Sequence, residues 1–387
     1  SSYVRNKVLQ VLGKLAEFRE NSSVSDIPVA RRLQLVKLCV GRLKDKTSIV
    51  RRSALKLLIT FIKYSPFMMI SHDEGNMSLK YFISRKESLE LVITAKSGNN
   101  SNKVGVNNES GNEREEKELS NEKSNKLGAI MDEDSPFNET NIVNENSNVV
   151  NNEPNLATED ELRNLRTLLM YYDDGIKFIS QIEGSIDSIL ELLGSNVKSE
   201  VIETMNFFVT AHEYGMDCAM VGLLKMAHKV WDKDTGENER LSVREHVLLC
   251  YGNVFFSNDL SEQELEAVSP IIANNIIKLT MSMSMAEQTS LEQIIGLIVK
   301  QKKFPAPVIN QLWNIFVAKK GHSQNRQGAI KLLGMIGKVE KSVVAMDLDS
   351  LLKVGLGSLG RKDLTLAKYT CVALQQLGSM SREKGIV

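Results

Sequence analysis

A hydrophobic pattern that returns every three to four residues runs through both ends of this chain, in pieces of about 12 to 20 residues cut by Gly, Asn, Asp, Ser or Pro. That spacing is the period of an amphipathic helix, and the alternating faces of a half-buried strand cannot be drawn from it. Between Thr47 and Tyr64, for example, Val50, Ala54, Leu57, Leu58, Phe61 and Ile62 fall on one face, while Arg52, Lys56 and Lys63 fall within a narrow arc of another. Ahead of them Pro28 stands where a first-turn proline is tolerated, opening a helix that offers Val36, Cys39, Val40 and Leu43 to a core. A turn at Lys44-Asp45-Lys46 joins the two helices into an antiparallel hairpin.

The hairpin recurs. Aligned on a basic residue followed by small or apolar residues three and six positions later, it returns as Arg5/Val8/Val11, Arg51/Ala54/Leu57, Lys198/Val201/Thr204, Arg244/Val247/Cys250, Arg326/Ala329/Leu332 and Lys368/Cys371/Leu374, with a weaker copy from Leu291 to Ile298. Arg5 to Arg51 and Lys198 to Arg244 are 46 residues apart, and Arg326 to Lys368 are 42 apart. A two-helix period of this length is the signature of HEAT and armadillo arrays, and the stretch from Leu35 to Ile62 resembles the HEAT pattern closely. The expected fold is therefore all-α, a HEAT/armadillo-like helical-repeat solenoid. Repeats that touch only their neighbours build an extended surface rather than a pocket, which points to binding. HEAT repeats commonly tie neighbours together with a turn Asp and an Arg early in the second helix, so Asp45 and Arg51 are expected to be structural.

Between residues 97 and 155 the periodicity stops and sixteen asparagines mix with Glu, Ser and Asp. Such a segment cannot bury enough apolar surface to offset its ordering entropy, so a disordered acidic insert is expected. The chain then reads as basic helical repeats at 1–96, the insert at 97–157 and further repeats at 158–387. Lys plus Arg and Asp plus Glu both total 48, yet residues 1–64 carry fourteen bases against four acids and residues 97–161 carry fifteen acids against five bases. Ser135, followed by Pro136, is a candidate for a proline-directed kinase, where phosphate would add to an already negative tether.

Catalytic chemistry is hard to find. The four cysteines, Cys39, Cys218, Cys250 and Cys371, are far apart among apolar neighbours and read as buried thiols. His212, His228 and His246 lie in helices without a metal or nucleophile spacing. Gly355, Gly357 and Gly360 spell GxGxxG, but the residues before them read as helix rather than strand, so they are expected to form a turn between helices. Ser269-Pro270 reads as a helix cap with a first-turn proline, and Trp313 as a core residue. No cofactor is expected. No window approaches 18 uninterrupted apolar residues and the N-terminus lacks a signal pattern, which suggests a soluble intracellular fragment with no membrane contact.

The densest charge lies in the first hairpin. Residues 28–64 hold ten Lys or Arg against the single acid Asp45. Arg31, Arg32, Arg42, Lys44, Lys46, Arg52, Lys56 and Lys63 are the candidate DNA-binding residues, contacting duplex phosphates by counterion release. Without interleaved aromatics, base stacking is not expected. An acidic protein partner, a solvated surface and masking by the acidic insert remain open alternatives.

Specific wording then narrows the family. Ser2-Tyr3-Val4-Arg5-Asn6-Lys7-Val8-Leu9-Gln10-Val11, Val40-Gly41-Arg42-Leu43-Lys44-Asp45-Lys46, Ala54-Leu55-Lys56-Leu57-Leu58, Asn206-Phe207-Phe208-Val209-Thr210-Ala211, Tyr214-Gly215-Met216 and the run from Lys225 to Asp234 with its Trp231-Asp232 resemble the D-type HEAT subunits of condensin. The resemblance spans most of the chain outside the insert, whose Asn-rich expansion departs from the family and suggests a fungal source. It implies an internal fragment of a longer, non-catalytic scaffold in a hetero-oligomer. That scaffold would bind the condensin kleisin subunit, contact the SMC ATPase subunits and help hold double-stranded DNA during mitotic chromosome condensation, in the nucleus and on the chromosome with a possible cytoplasmic pool. A generic protein adaptor of the transport-receptor or phosphatase-scaffold type, with a basic peptide-binding surface, is the alternative.

Overall fold

The computed structural model describes residues 1–17, 27–68, 77–101, 159–232, 242–256, 260–318 and 321–383, and every regular element among them is helical. Ser135 and nearly all of the expected insert lie outside the described residues. The chain begins with α1 (Ser2–Ala16), α2 (Val29–Arg42), α3 (Ser48–Lys63), α4 (Leu79–Ser101) and α5 (Glu159–Glu183). It continues with α6 (Ile186–Leu192), α7 (Lys198–Glu213), α8 (Ala219–Met226), α9 (Val243–Phe256), α10 (Glu262–Ser282) and α11 (Met285–Lys300). The last described helices are α12 (Ala306–Val317), α13 (Ser323–Gly337), α14 (Lys341–Ala345), α15 (Leu348–Ser350), α16 (Ser358–Lys362) and α17 (Leu364–Glu383). α4 runs to Ser101, a turn past the boundary read at residue 97.

Two compact units result. One comprises Ser1–Arg85 with Tyr171–Val387, and the other Lys86–Met170. In the first unit α1 packs on α3, α3 on α7, α7 on α9, α9 on α11, α11 on α13 and α13 on α17, so the second helices of successive repeats form one layer. Partner helices back this layer, α2 on α3, α6 on α7 and α12 on α13. In the second unit Lys96 of α4 lies 3.6 Å from Glu161 of α5.

The recurring basic position has a physical cause. Arg51 donates from Nη1 to the carbonyl oxygen of Asp45 at 2.9 Å. Arg244 donates from Nε to the Val230 carbonyl at 2.9 Å and from Nη2 to the Asp232 carbonyl at 3.3 Å. Arg326 reaches the carbonyls of Phe316 and Ala318 at 3.1 and 2.5 Å. Each of these three arginines stands in the first turn of its helix and donates to carbonyls at the end of the preceding helix or in the turn just after it, where the helix dipole also favours a cation. The charged ties join neighbouring repeats, as expected of a turn Asp and an Arg early in a second helix. The Asp45 carboxylate takes a bidentate contact from Arg5 at 2.8 and 2.9 Å, whereas Arg51 pairs with Glu200 at 2.6 and 2.8 Å.

The core follows the periodicity. All six apolar residues placed on the inner face of α3 are buried, and so are Val36, Cys39, Leu43 and Trp313. Cys250 is buried as well, but Cys218 is half-buried and Cys371 is exposed, because α17 turns Cys371 and Val372 away from α13 while Ala373 faces it. Helix α10 passes through Pro270 instead of starting there. Pro270 has no N–H for the Glu266 carbonyl four residues back, and the Ser269 hydroxyl donates to that oxygen at 2.9 Å in its place. The GxGxxG glycines close a turn against α17. A β-carbon at Gly357 would collide with the Lys353 carbonyl oxygen, and one at Gly360 with that of Gly355. His246 bonds Asn206 at 2.8 Å and His228 bonds Ser290 at 3.0 Å, so both are held as packing groups. No described helix is long and apolar enough to cross a membrane.

Candidate nucleic-acid interface

The basic residues of the first hairpin divide by the faces of its two helices. Arg31 and Lys37 are exposed on α2, and Arg31 bonds Gln34 at 3.2 Å. Arg42, Lys44 and Lys46 are exposed at the turn. Arg52, Lys56 and Lys63 line one stripe of α3, with Lys56 and Lys63 exposed and Arg52 half-buried.

Arg32 does not belong to this surface. Its side chain is 1% exposed, with the guanidinium carbon 5.4 Å from the centre of the Phe61 ring, and desolvation lowers its pKa to about 10. The reason is positional. Arg32, Val36, Cys39 and Leu43 recur at four, three and four residues, the buried face of α2, and that register carries the cation inward with them. Its long stem packs as an apolar group and the planar head stacks on an aromatic ring.

The remaining cations do not form one patch. Helix α3 is flanked by α1 and α7 and backed by α2, so its open stripe points away from α2. The open side of α2, carrying Arg31 and Lys37, points the other way. Only the turn, with Arg42, Lys44 and Lys46, lies at the edge shared by both faces. One rigid duplex cannot lie along both faces at once.

Counter-charges decide what each face offers. At the turn, Asp45 is the only acid, and its carboxylate is already occupied by Arg5, by the Thr47 hydroxyl at 2.9 Å and by the Thr47 N–H at 3.1 Å. Hydrogen bonding from Arg5 holds that carboxyl well below the usual carboxylate range. Arg42 approaches Asp45 only to 3.8 Å and keeps half its side chain in solvent, while Lys44 and Lys46 make no ion pair among the described residues. On α3 the situation differs. Glu203, on α7, sits 3.6 Å from the Lys56 ammonium and also faces Arg52. Its side chain is 12% exposed, and burial raises its pKa against the pull of Lys56 and Arg52. Two of the three stripe cations therefore share a resident anion, and Lys63 makes no ion pair among the described residues.

Glu200 and Glu203 are the residues that the reading along the chain missed. They lie beyond the insert, 149 and 147 positions from Arg51 and Lys56, and only the packing of α3 on α7 brings them there. No group of three or more His, Cys, Asp or Glu among the described residues could hold a metal ion.

No protein-family model matches the chain. The condensin complex subunit 1 of Saccharomyces cerevisiae is 32% identical over 395 residues, covering 97% of this chain and 32% of that protein. The condensin complex subunit 1 of Schizosaccharomyces pombe is 36% identical over 221 residues, 57% of this chain and 19% of that one. The condensin-1 complex subunit CAP-D2 of Arabidopsis thaliana is 22% identical over 389 residues, covering 99% of this chain and 25% of its own length. The chain thus spans about a third or less of the length of these relatives.

Proposed function

Since the chain belongs to the condensin complex subunit 1 family, we propose that it is a non-catalytic part of a condensin scaffold, working on the chromosome. In that role its repeats hold the kleisin and an SMC ATPase head, and the first hairpin adds a contact to duplex DNA. The observation that carries the DNA contact is the turn of that hairpin. Arg42, Lys44 and Lys46 stand open around one aspartate whose charge is already spent on Arg5 and Thr47. Such a cluster suits neighbouring phosphates of a duplex and carries no base readout. Lys63 extends the contact along α3, where Lys56 and Arg52 join once phosphate displaces Glu203.

The experiment is binding of the chain to a mixed-sequence duplex across a salt series, by fluorescence polarisation. Each phosphate contact contributes about 0.9 to the slope of log affinity against log salt. Arg42→Glu with Lys44→Glu and Lys46→Glu should flatten the slope by about 3 and remove most binding. Arg52→Glu with Lys56→Glu and Lys63→Glu should cost less, and Glu203→Gln should strengthen binding several-fold by freeing Lys56 and Arg52. Salt-insensitive binding, or binding that survives the turn variant, sinks the assignment. No binding at all would leave the repeats as a scaffold for protein partners only.

A further inference from the structure

On another part of the array, away from the basic hairpin, a cleft of about 500 Å³ opens between the start of α10, the turn after α11 and the start of α12. Its floor is apolar. Phe256 and Phe304 meet there with ring centres 4.9 Å apart, and Leu265 lines the same space. Its two walls carry opposite charge, with Glu262 and Glu266 on α10 and Lys302 with Lys303 on the turn. All four are exposed, and none makes an ion pair among the described residues. Glu264 is withdrawn from the wall by its bonds to Ser261, which cap α10.

The lysine wall is held in an unusual way. α11 ends with the Lys302 N–H bonded to the Val299 carbonyl at 2.9 Å and the Lys303 N–H to the Ile298 carbonyl at 3.1 Å. This is the Schellman pattern, and it places Lys302 at φ 57°. Glycine is the residue usually found there, since a β-carbon is disfavoured in that region. Lys302 is the one described non-glycine residue with positive φ, and it is a side chain that lines the cleft. An L residue there carries a backbone penalty that glycine would not, and here that residue's side chain lines the cleft.

We propose that this cleft seats an extended peptide segment of a protein partner. One apolar side chain, aromatic or leucine, sits on Phe304 and Leu265, which Phe256 backs from beneath, with a basic residue toward Glu262 and Glu266 and an acidic one toward Lys302 and Lys303. The glutamate wall repels a phosphate backbone, which sets the cleft apart from the hairpin surface. The apolar floor supplies affinity, and the opposed walls fix the direction in which the peptide lies. The inference does not depend on the DNA contact proposed above.

The test is an array of immobilised nine-residue peptides, each with one Phe or Leu anchor, probed with the full labelled chain. The flanks are basic then acidic, acidic then basic, both basic or both acidic. One mixed-charge order should be retained about tenfold more than the other three sets. The variant Glu262→Lys, Glu266→Lys, Lys302→Glu, Lys303→Glu changes only exposed groups, and it should prefer the reversed order. Lys302→Gly should raise the melting temperature while lowering retention. Equal retention of all four sets, an unchanged preference in the charge-swapped variant, or capture of a DNA duplex at these lysines instead of any peptide would each overturn the proposal.

Discussion

Replacing Glu200 by alanine tests how the array holds together across its long insertion. Glu200 is fully buried and accepts from Arg51 at 2.6 and 2.8 Å and from the Ser195 hydroxyl at 2.5 Å. Arg51 is 21% exposed on its side chain and keeps its bond to the Asp45 carbonyl when the glutamate is lost. Breaking a buried pair by deleting one partner costs about 3 to 5 kcal/mol, and the partial solvation of Arg51 puts this case near 3. Because stability in a repeat array is a sum of repeat and neighbour terms, that loss falls on the α3–α7 interface alone. With a urea dependence of about 2 kcal/mol per molar, α1 to α3 should melt about 1.5 M earlier than in the parent, ahead of the later repeats. Far-UV circular dichroism would show the extra transition, and hydrogen exchange would place it in α3. The double variant Arg51→Met with Glu200→Leu should recover to within about 1 kcal/mol of the parent, since apolar replacement of a buried ion pair is often neutral. Unfolding of Glu200→Ala within 1 kcal/mol of the parent, or a double variant no better than the single one, would show that this pair does not hold the α3–α7 interface.

Two other perturbations probe the turns. The depressed pKa of Asp45 means that its contribution is complete above the unfolded carboxyl value near 4 and is lost as pH falls below it. Asp45→Asn should therefore destabilise at pH 7 and progressively less from pH 5 to pH 2, as read by urea midpoints at each pH; a constant difference would exclude the carboxylate as its source. Gly360→Ala places a methyl group against the Gly355 carbonyl and should cost about 1 to 3 kcal/mol in thermal unfolding. A neutral result would show that the turn before α17 relaxes freely.

Helix-scale features were legible along the chain because a local period sets them. The inner face of α3, the core position of Trp313 and the turn between helices at Gly355 to Gly360 all follow from neighbours within a few residues. The recurring basic residue was visible as well, although its role as a cap for the preceding helix was not, since carbonyl groups leave no trace in residue type. Arg32 departs from the expected surface because register outweighs charge, and its spacing to Val36, Cys39 and Leu43 marks the buried face. Along the chain Pro270 suggests a helix start, since a lone proline carries no sign of the serine hydroxyl bond that lets the helix continue.

Paired amphipathic helices at a regular spacing, with a block of cations in the first hairpin, follow from residue order alone, because hydrophobic period and charge density are properties of short windows. Which cations remain open was decided only by tertiary packing. Stacking α7 on α3 delivers Glu200 to Arg51 and Glu203 to Lys56 from across the insert, and backing α3 with α2 turns the two basic stripes in opposite directions. Coulomb energy depends on distance in space and on burial, and neither is written in the order of residues.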